Sequence, residues 1–195
     1  AFQSMAKNYS VQIDEEMATR VVTDWRSANK QITSLWKHIE QAAIATVKNP
    51  CKPQEYRGIR FSCHSGFLFC QLPSKRQIAY YDPEIGEGMY GDKQVTYMGV
   101  NGVTRKWERT ATYGGSLVQS IVQAVARDLL AFAMLNIEKA GYEIVLTVHD
   151  EIIAEVDKST GSVEEFEVLM EKLPEWAEGL PLKAEGYSCA RYQKG

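Results

Sequence analysis

Apolar residues along this chain recur first at helical spacing, then in short alternating runs, then at helical spacing again. Asp14-Glu15-Glu16 opens a helix with acid in its first turn, where it complements the helix dipole, and that helix runs toward Ala28. A second helix is predicted from about Lys30 to Val47, ending before Asn49-Pro50 because the residue before a proline is pushed out of the helical region. Trp25, Ile32, Leu35, Trp36, Ile39 and Ile44 are expected to pack the pair together. Residues 57–110 are rich in Gly, Tyr, Phe and turn residues. They predict short strands with a long loop around 82–93. Phe61, Phe67, Phe69, Tyr80 and Tyr81 suit either stacking on bases or, as aromatic strand faces usually do, the core.

From Gly115 to Lys139 the chain has no Pro and no internal Gly, and it predicts one long helix with Ser116 as N-cap and Gly141 as stop. Val118, Ile121, Val122, Val125, Leu129, Phe132 and Ala133 form its expected core face. Gln119, Gln123 and Arg127 follow one another at intervals of four, so they stack as one polar stripe. Two amides and a guanidinium on a mostly apolar helix suit hydrogen bonding to a sugar-phosphate chain or to base edges; an ordinary solvent-facing stripe has the same spacing. Asp128 lies beside the stripe, where a local ion pair is its ordinary role.

Residues 144–156 read as two apolar, β-branched runs around His149-Asp150-Glu151, the pattern of a hairpin with polar groups at its turn. Nearly all-apolar flanks predict two buried strands and a rigid hairpin. Adjacent carboxylates at such a tip suit a hard divalent cation, although three polar residues between strands are more often a solvated turn. A helix near 162–173 and a last strand near Leu182–Tyr192 complete the pattern.

Composition changes this picture little, but charge divides it. The net charge is −3. Residues 1–110 carry 15 Lys and Arg against 11 Asp and Glu, and residues 111–195 carry 7 against 14. Arg57, Arg60, Lys75, Arg76, Arg105, Lys106 and Arg109 gather in the basic part and suit phosphate contacts, which would make affinity salt-dependent. Glu164, Glu165, Glu167 and Glu171 read as a solvated helix face. The four cysteines form no Cys-x-x-Cys pair, and Cys63, His64 and Cys70 lack zinc-site spacing, so reduced thiols in a cytoplasmic protein are expected. No apolar run approaches the roughly 20 residues that span a bilayer, so no membrane partner is expected.

Several segments together carry a resemblance. Tyr113-Gly-Gly-Ser-Leu-Val-Gln119-Ser-Ile-Val-Gln123-Ala-Val-Ala-Arg127, followed by Leu146-Thr-Val-His149-Asp150-Glu151, resembles the C-terminal part of family A DNA polymerases, the bacterial polymerase I class, and most of all their phage and prophage branch. Leu173-Pro-Glu-Trp176-Ala-Glu-Gly179-Leu-Pro-Leu-Lys-Ala-Glu-Gly-Tyr187 fits that branch too, as does Trp25-Arg26-Ser-Ala-Asn29-Lys-Gln-Ile-Thr-Ser-Leu-Trp36. The match is least sharp from about Gln54 to Glu108. The resemblance implies an α+β fold: an antiparallel palm sheet with a metal-bearing hairpin packed on the long helix, plus a helical fingers remnant. It implies residues 1–50 as the helical end of the fingers, 51–110 as a β-rich connecting segment and 111–195 as palm. It implies Asp150 as a ligand of catalytic Mg²⁺, Glu151 as a second carboxylate tuning the site, Gln119, Gln123 and Arg127 as DNA contacts, and His149 near the primer-terminal phosphate.

The expected partners are primer-template DNA, deoxynucleoside triphosphates and an upstream polymerase polypeptide, in a bacterial host cytoplasm if the chain is phage-derived. The family uses two Mg²⁺ ions held by two Asp residues, and a fingers Lys on the triphosphate. In the family both motifs normally precede the point where this chain begins. Asp14 and Asp24 lie in charged helical sequence and Asp82 and Asp92 in turn-rich sequence, so none replaces the upstream Asp. Ala-Phe-Gln-Ser-Met-Ala-Lys at the start shows no signal peptide and resembles the interior of a longer protein. One Asp cannot hold two hydrated Mg²⁺ ions, so the chain is expected to supply half of a two-metal site. Two other readings stand beside it: a non-catalytic primer-template-binding fragment, and a metal phosphohydrolase using His149 and Asp150, which would need further His or Asp ligands.

Overall fold

The structure is a computed structural model in which residues 6, 9–88 and 91–192 are described. Among them are four α-helices: α1 (Glu15–Ala28), α2 (Lys30–Lys48), α3 (Gly114–Lys139) and α4 (Val163–Glu171). Eight strands accompany them: β1 (Gln54–Tyr56), β2 (Ile59–His64), β3 (Phe67–Gln71), β4 (Gln77–Glu87), β5 (Lys93–Val100), β6 (Trp107–Thr112), β7 (Glu143–Val148) and β8 (Glu151–Glu155). Strands β1 to β6 hydrogen-bond in chain order, and β7 and β8 form a separate two-stranded sheet. Contacts divide the chain into two compact units, one of Ala1–Tyr56, Phe61–Leu68 and Tyr80–Val118, the other of Arg57–Arg60, Phe69–Ala79 and Gln119–Gly195.

In the first unit, Asp14 caps α1 by accepting the Met17 N–H at 2.7 Å, which satisfies one of the donors a helix start leaves open. Asn29 makes the joint to α2. Its backbone N–H and its side-chain amide both donate to the Trp25 carbonyl at 2.9 Å, and the Trp25 and Trp36 rings stack at 5.7 Å. Ile39, Ala43 and Thr46 form the buried stripe of α2 at helical spacing. The expected packing of the pair holds less widely than the spacing suggests: α1 has no buried residue, and Trp25 and Ile32 are exposed. A stack of two rings joins the helices in place of a shared apolar seam.

Ser116 is not the N-cap of α3, which starts two residues earlier. The reason lies on α2, where Glu40 Oε1 accepts the Gly114 N–H at 3.1 Å and so places a carboxylate at the positive end of the helix. Burial raises the Glu40 pKa, an effect the Gly114 N–H opposes. A Cβ at Gly114 would collide with the Trp36 carbonyl. Val122, expected in the core face, is exposed, and Leu117, Val118, Ile121, Leu130, Ala133 and Ile137 are the buried positions of α3.

Strand β4 overturns the expected loop at 82–93. It runs to Glu87, and the connection to β5 covers only 88–92. Asp82-Pro83 reads as a turn, but it occupies a bulge: the β4–β5 register shifts between Tyr81 and Glu84, and Asp82 has φ 50°. A bulge is one of the few strand positions that tolerates proline. Arg109 holds it, donating to the Asp82 carbonyl at 3.0 Å and pairing with the Asp82 and Glu84 carboxylates.

In the second unit, Gly141 at φ 91° ends α3 as the sequence indicates, and the Tyr142 N–H returns to the Ile137 carbonyl. Ile137, Tyr142 and Leu169 form a buried cluster against which Ile144, Ile152, Ala154, Phe166 and Met170 pack. The Tyr142 hydroxyl donates to Glu165 at 2.6 Å and accepts the Ser162 N–H at 3.2 Å. Two expectations fail here. The hairpin strands are not buried on both faces, since Val145 and Leu146 are about half exposed. Residues 182–192 form no strand. Glutamates of α4 anchor that tail: Glu171 accepts the Ala184 N–H at 3.1 Å and Glu167 the Gly186 N–H at 2.7 Å. With Glu165 on Tyr142, three of the four acids read as solvated are hydrogen-bonded. The Ala184 N–H, chiefly, lowers the Glu171 pKa.

By length and composition α3 is long and apolar enough to cross a membrane, which corrects the expectation that no such run exists. Its middle carries Arg127 and Asp128, and charged groups at a bilayer centre are costly. Gly114→Ala is expected to lower stability by about 1–3 kcal/mol through forced separation of α2 and α3, measured by denaturant unfolding, whereas Gly102→Ala, in open space, should be near neutral.

Candidate nucleic-acid and metal site

The candidate site lies within the second unit. The hairpin turn consists of two residues, His149 and Asp150, between the paired Val148 and Glu151. His149 has φ 56° and Asp150 is outside the positive-φ set, the pattern of a II′ turn, in which glycine is usual at the first central position. His149 Nδ1 lies 2.9 Å from Asp150 Oδ1, so the pair requires a proton on Nδ1. That hydrogen bond is the largest cause holding the Asp150 carboxyl below its usual pKa. The result is an exposed carboxylate at the hairpin tip with an imidazole hydrogen-bonded beside it.

Gln123, Arg127, His149 and Asp150 line one cleft of about 290 Å³. Ala126, Leu129, Leu130, Ala133, Met170 and Leu182 form its apolar wall. Residues from a helix and from a turn more than twenty positions later are thus brought together, although the stripe alone did not distinguish a binding face from a solvated one. Gln119 is exposed on α3 one turn before Gln123 and is not a lining residue of the cleft. Glu151 is not one either. It accepts a hydrogen bond from the Tyr192 hydroxyl at 2.9 Å, and that bond is the main cause raising the Tyr192 pKa.

Sequence reasoning missed what holds the stripe in place. Asp128 forms no local pair. It accepts from the Ser74 hydroxyl and from the Arg76 guanidinium, which also donates to the Ala124 carbonyl at 2.7 Å. The β3–β4 turn is therefore clamped to α3 at the level of Gln123 and Arg127. Arg76 and Arg109, both read as phosphate contacts, are spent on internal carboxylates. A signal existed in the sequence, an acid one position from a polar stripe on an apolar helix, but a partner 52 residues away has no local signature.

The donor set tests the fit to a metal. Asp150 is the one carboxylate lining the cleft, and among the described residues no group of three or more His, Cys, Asp or Glu side chains is placed to hold an ion. Mg²⁺ takes near-octahedral oxygen ligation, with one or two carboxylates and the rest water or phosphate. Asp150 suits one such position, and this chain's described residues do not make a two-ion site.

Asp128→Ala is expected to cost about 1.5–3 kcal/mol, the range for hydrogen bonds to a charged group, and to raise amide exchange in α3 around Ala124. Arg76→Lys should recover little, because an ammonium cannot bridge the carboxylate and the Ala124 carbonyl with a planar fork.

No protein-family model matches the chain, and no solved structure matches it. Over 175 residues it is 41% identical to a protein of Bacillus phage SP02 named DNA polymerase, a match that covers 89% of this chain and 27% of that relative. The chain therefore spans about a quarter of the length of the relative it resembles.

Proposed function

We propose that this chain is part of a template-directed DNA polymerase, of the family A type that its motifs resemble, and that it contributes one metal-binding carboxylate and a primer-template grip. The convergence of Gln123, Arg127, His149 and Asp150 on one cleft carries this reading. The similarity to a protein named DNA polymerase agrees with it.

The chemistry follows from the parts. Asp150 would hold part of a two-Mg²⁺ site, which would supply activation of the primer 3′-hydroxyl and stabilisation of the leaving pyrophosphate. Nucleotidyl transfer depends mainly on positioning and charge stabilisation. Asp150, an exposed carboxylate whose pKa the His149 hydrogen bond lowers further, offers an oxygen ligand. Gln123 and Arg127 line the same cleft, and an amide with a guanidinium suits base-edge acceptors and phosphate oxygens. The Asp128 clamp fixes the helix that carries them. A two-ion site needs metal ligands beyond those that the described residues bring together, and deoxynucleoside triphosphates and primer-template DNA are the proposed substrates. The palm and fingers assignments belong to the same proposal. A non-catalytic grip on primer-template is the second reading, and the solitary carboxylate in the cleft favours it.

In the complete polymerase, Asp150→Asn is expected to reduce nucleotide addition about a hundredfold or more while leaving primer-template affinity nearly unchanged. Equal loss of both, with normal circular dichroism, would contradict the metal-ligand role; an unchanged rate would favour the non-catalytic grip. Gln123→Ala is expected to weaken primer-template use about three- to tenfold, the size of one lost hydrogen bond, with the maximal rate at saturating DNA retained.

A further inference from the structure

The β4–β5–β6 part of the first unit has two unlike faces. Register places Tyr81, Met98 and Arg109 in one row across the three strands, and Val100 opposite Trp107 two positions on. Side chains two apart share a face, so these five residues lie together. The other face is the buried one, with Val95, Gly99 and Thr112. On the open face Trp107 is 60% exposed and Tyr81 47%. Their ring centroids are 6.4 Å apart, and Phe67 lies 5.1 Å beyond Tyr81. The rings are tilted by 35° and 50°, not stacked face to face, so they do not cover one another's π surfaces.

Charge beside the rings indicates the occupant. Arg105 and Lys106 are exposed on the β5–β6 turn, immediately before Trp107. That turn is ordered: Asn101 Oδ1 accepts the Val103 and Thr104 N–H groups at 2.8 and 3.2 Å, and the Asn101 amide donates to Glu108 at 2.6 Å. Of the acids beside the rings in sequence, Asp82 and its strand neighbour Glu84 pair with Arg109, and Glu108 accepts from Asn101 and Thr104. Rings on an open antiparallel sheet with cations at one end are what unpaired nucleic acid uses, because every base has a π face and every linkage a phosphate.

We propose that this face binds single-stranded DNA, with bases stacked on Tyr81 and Trp107 and the backbone passing Arg105 and Lys106. The site shares no residue with the cleft at Asp150 and needs no metal. Within the proposed polymerase it would hold unpaired template, but the proposal rests on the sheet face and stands or falls apart from that reading.

The test is fluorescence anisotropy of a labelled oligothymidylate of about 12 nucleotides, within the length one such platform covers, titrated with this chain in low salt and EDTA. Wild type is expected to bind it more tightly than a blunt duplex. Tyr81→Ala with Trp107→Ala should weaken binding about tenfold or more, Trp107→Phe should retain most of it, and Val168→Ala, exposed on α4, should change nothing. Circular dichroism and thermal unfolding show whether the double variant is folded; if it is not, Trp107→Phe against Trp107→Leu gives the same contrast at one exposed position. Failure of wild type to bind, or unchanged affinity in folded variants, would overturn the proposal. So would light scattering that shows a dimer in the wild type, lost in the double variant, without oligonucleotide binding. That outcome would assign the face to contact between copies of the chain.

Discussion

His149 occupies a backbone conformation that costs a non-glycine residue about 1–3 kcal/mol, and the geometry of the cleft depends on it. A two-residue turn is the shortest way to reverse a strand, and it leaves its second residue at the tip with no room to fold back. With histidine at the first position the imidazole sits against the carboxylate of the second, and that hydrogen bond lowers the Asp150 pKa. Glycine would relieve the backbone but remove that hydrogen bond. The strain lies at the point where the sequence places its only cleft carboxylate, as strained residues at functional sites often do.

The opposite wall of the cleft depends on a different device. An apolar helix with a polar stripe can rotate about its axis at little cost unless something pins it. Asp128 does this through Arg76 and Ser74, and the second bond of Arg76, to the Ala124 carbonyl, fixes both height and rotation. The hairpin is anchored through Tyr142, which joins the end of α3 to the start of α4, and through Ile144, Ile152 and Ala154 on the buried cluster. Leu182 reaches the cleft wall from a tail that α4 glutamates hold.

Local devices were legible in the sequence and distant ones were not. Asp14 as a start, Gly141 as a stop, the helical period of 115–139 and the hairpin around His149 each involve residues within a turn of one another. The Glu40 cap on Gly114, the Arg76–Asp128 clamp and the tail hydrogen bonds to Glu167 and Glu171 involve partners 74, 52, 19 and 13 residues apart. None has a period to detect. Asp82-Pro83 misled for a further reason: the signals for a turn and for a bulge are the same residues, and only the pairing of Glu84 with Thr96 separates them. At the site, the residue types were readable from the motifs, but the exclusion of Gln119 and Glu151 from the cleft lining depends on tertiary placement.

In the proposed polymerase, Asp150 would be one half of a two-metal site whose other ligands the described residues do not supply. Primer extension by this chain alone tests it most directly, with Mg²⁺ and all four deoxynucleoside triphosphates, after circular dichroism has shown the chain folded and a gel shift has shown primer-template bound. Binding without extension is the expected result. Extension that disappears with Asp150→Asn would contradict it, because the chain would then build a complete two-ion site by itself.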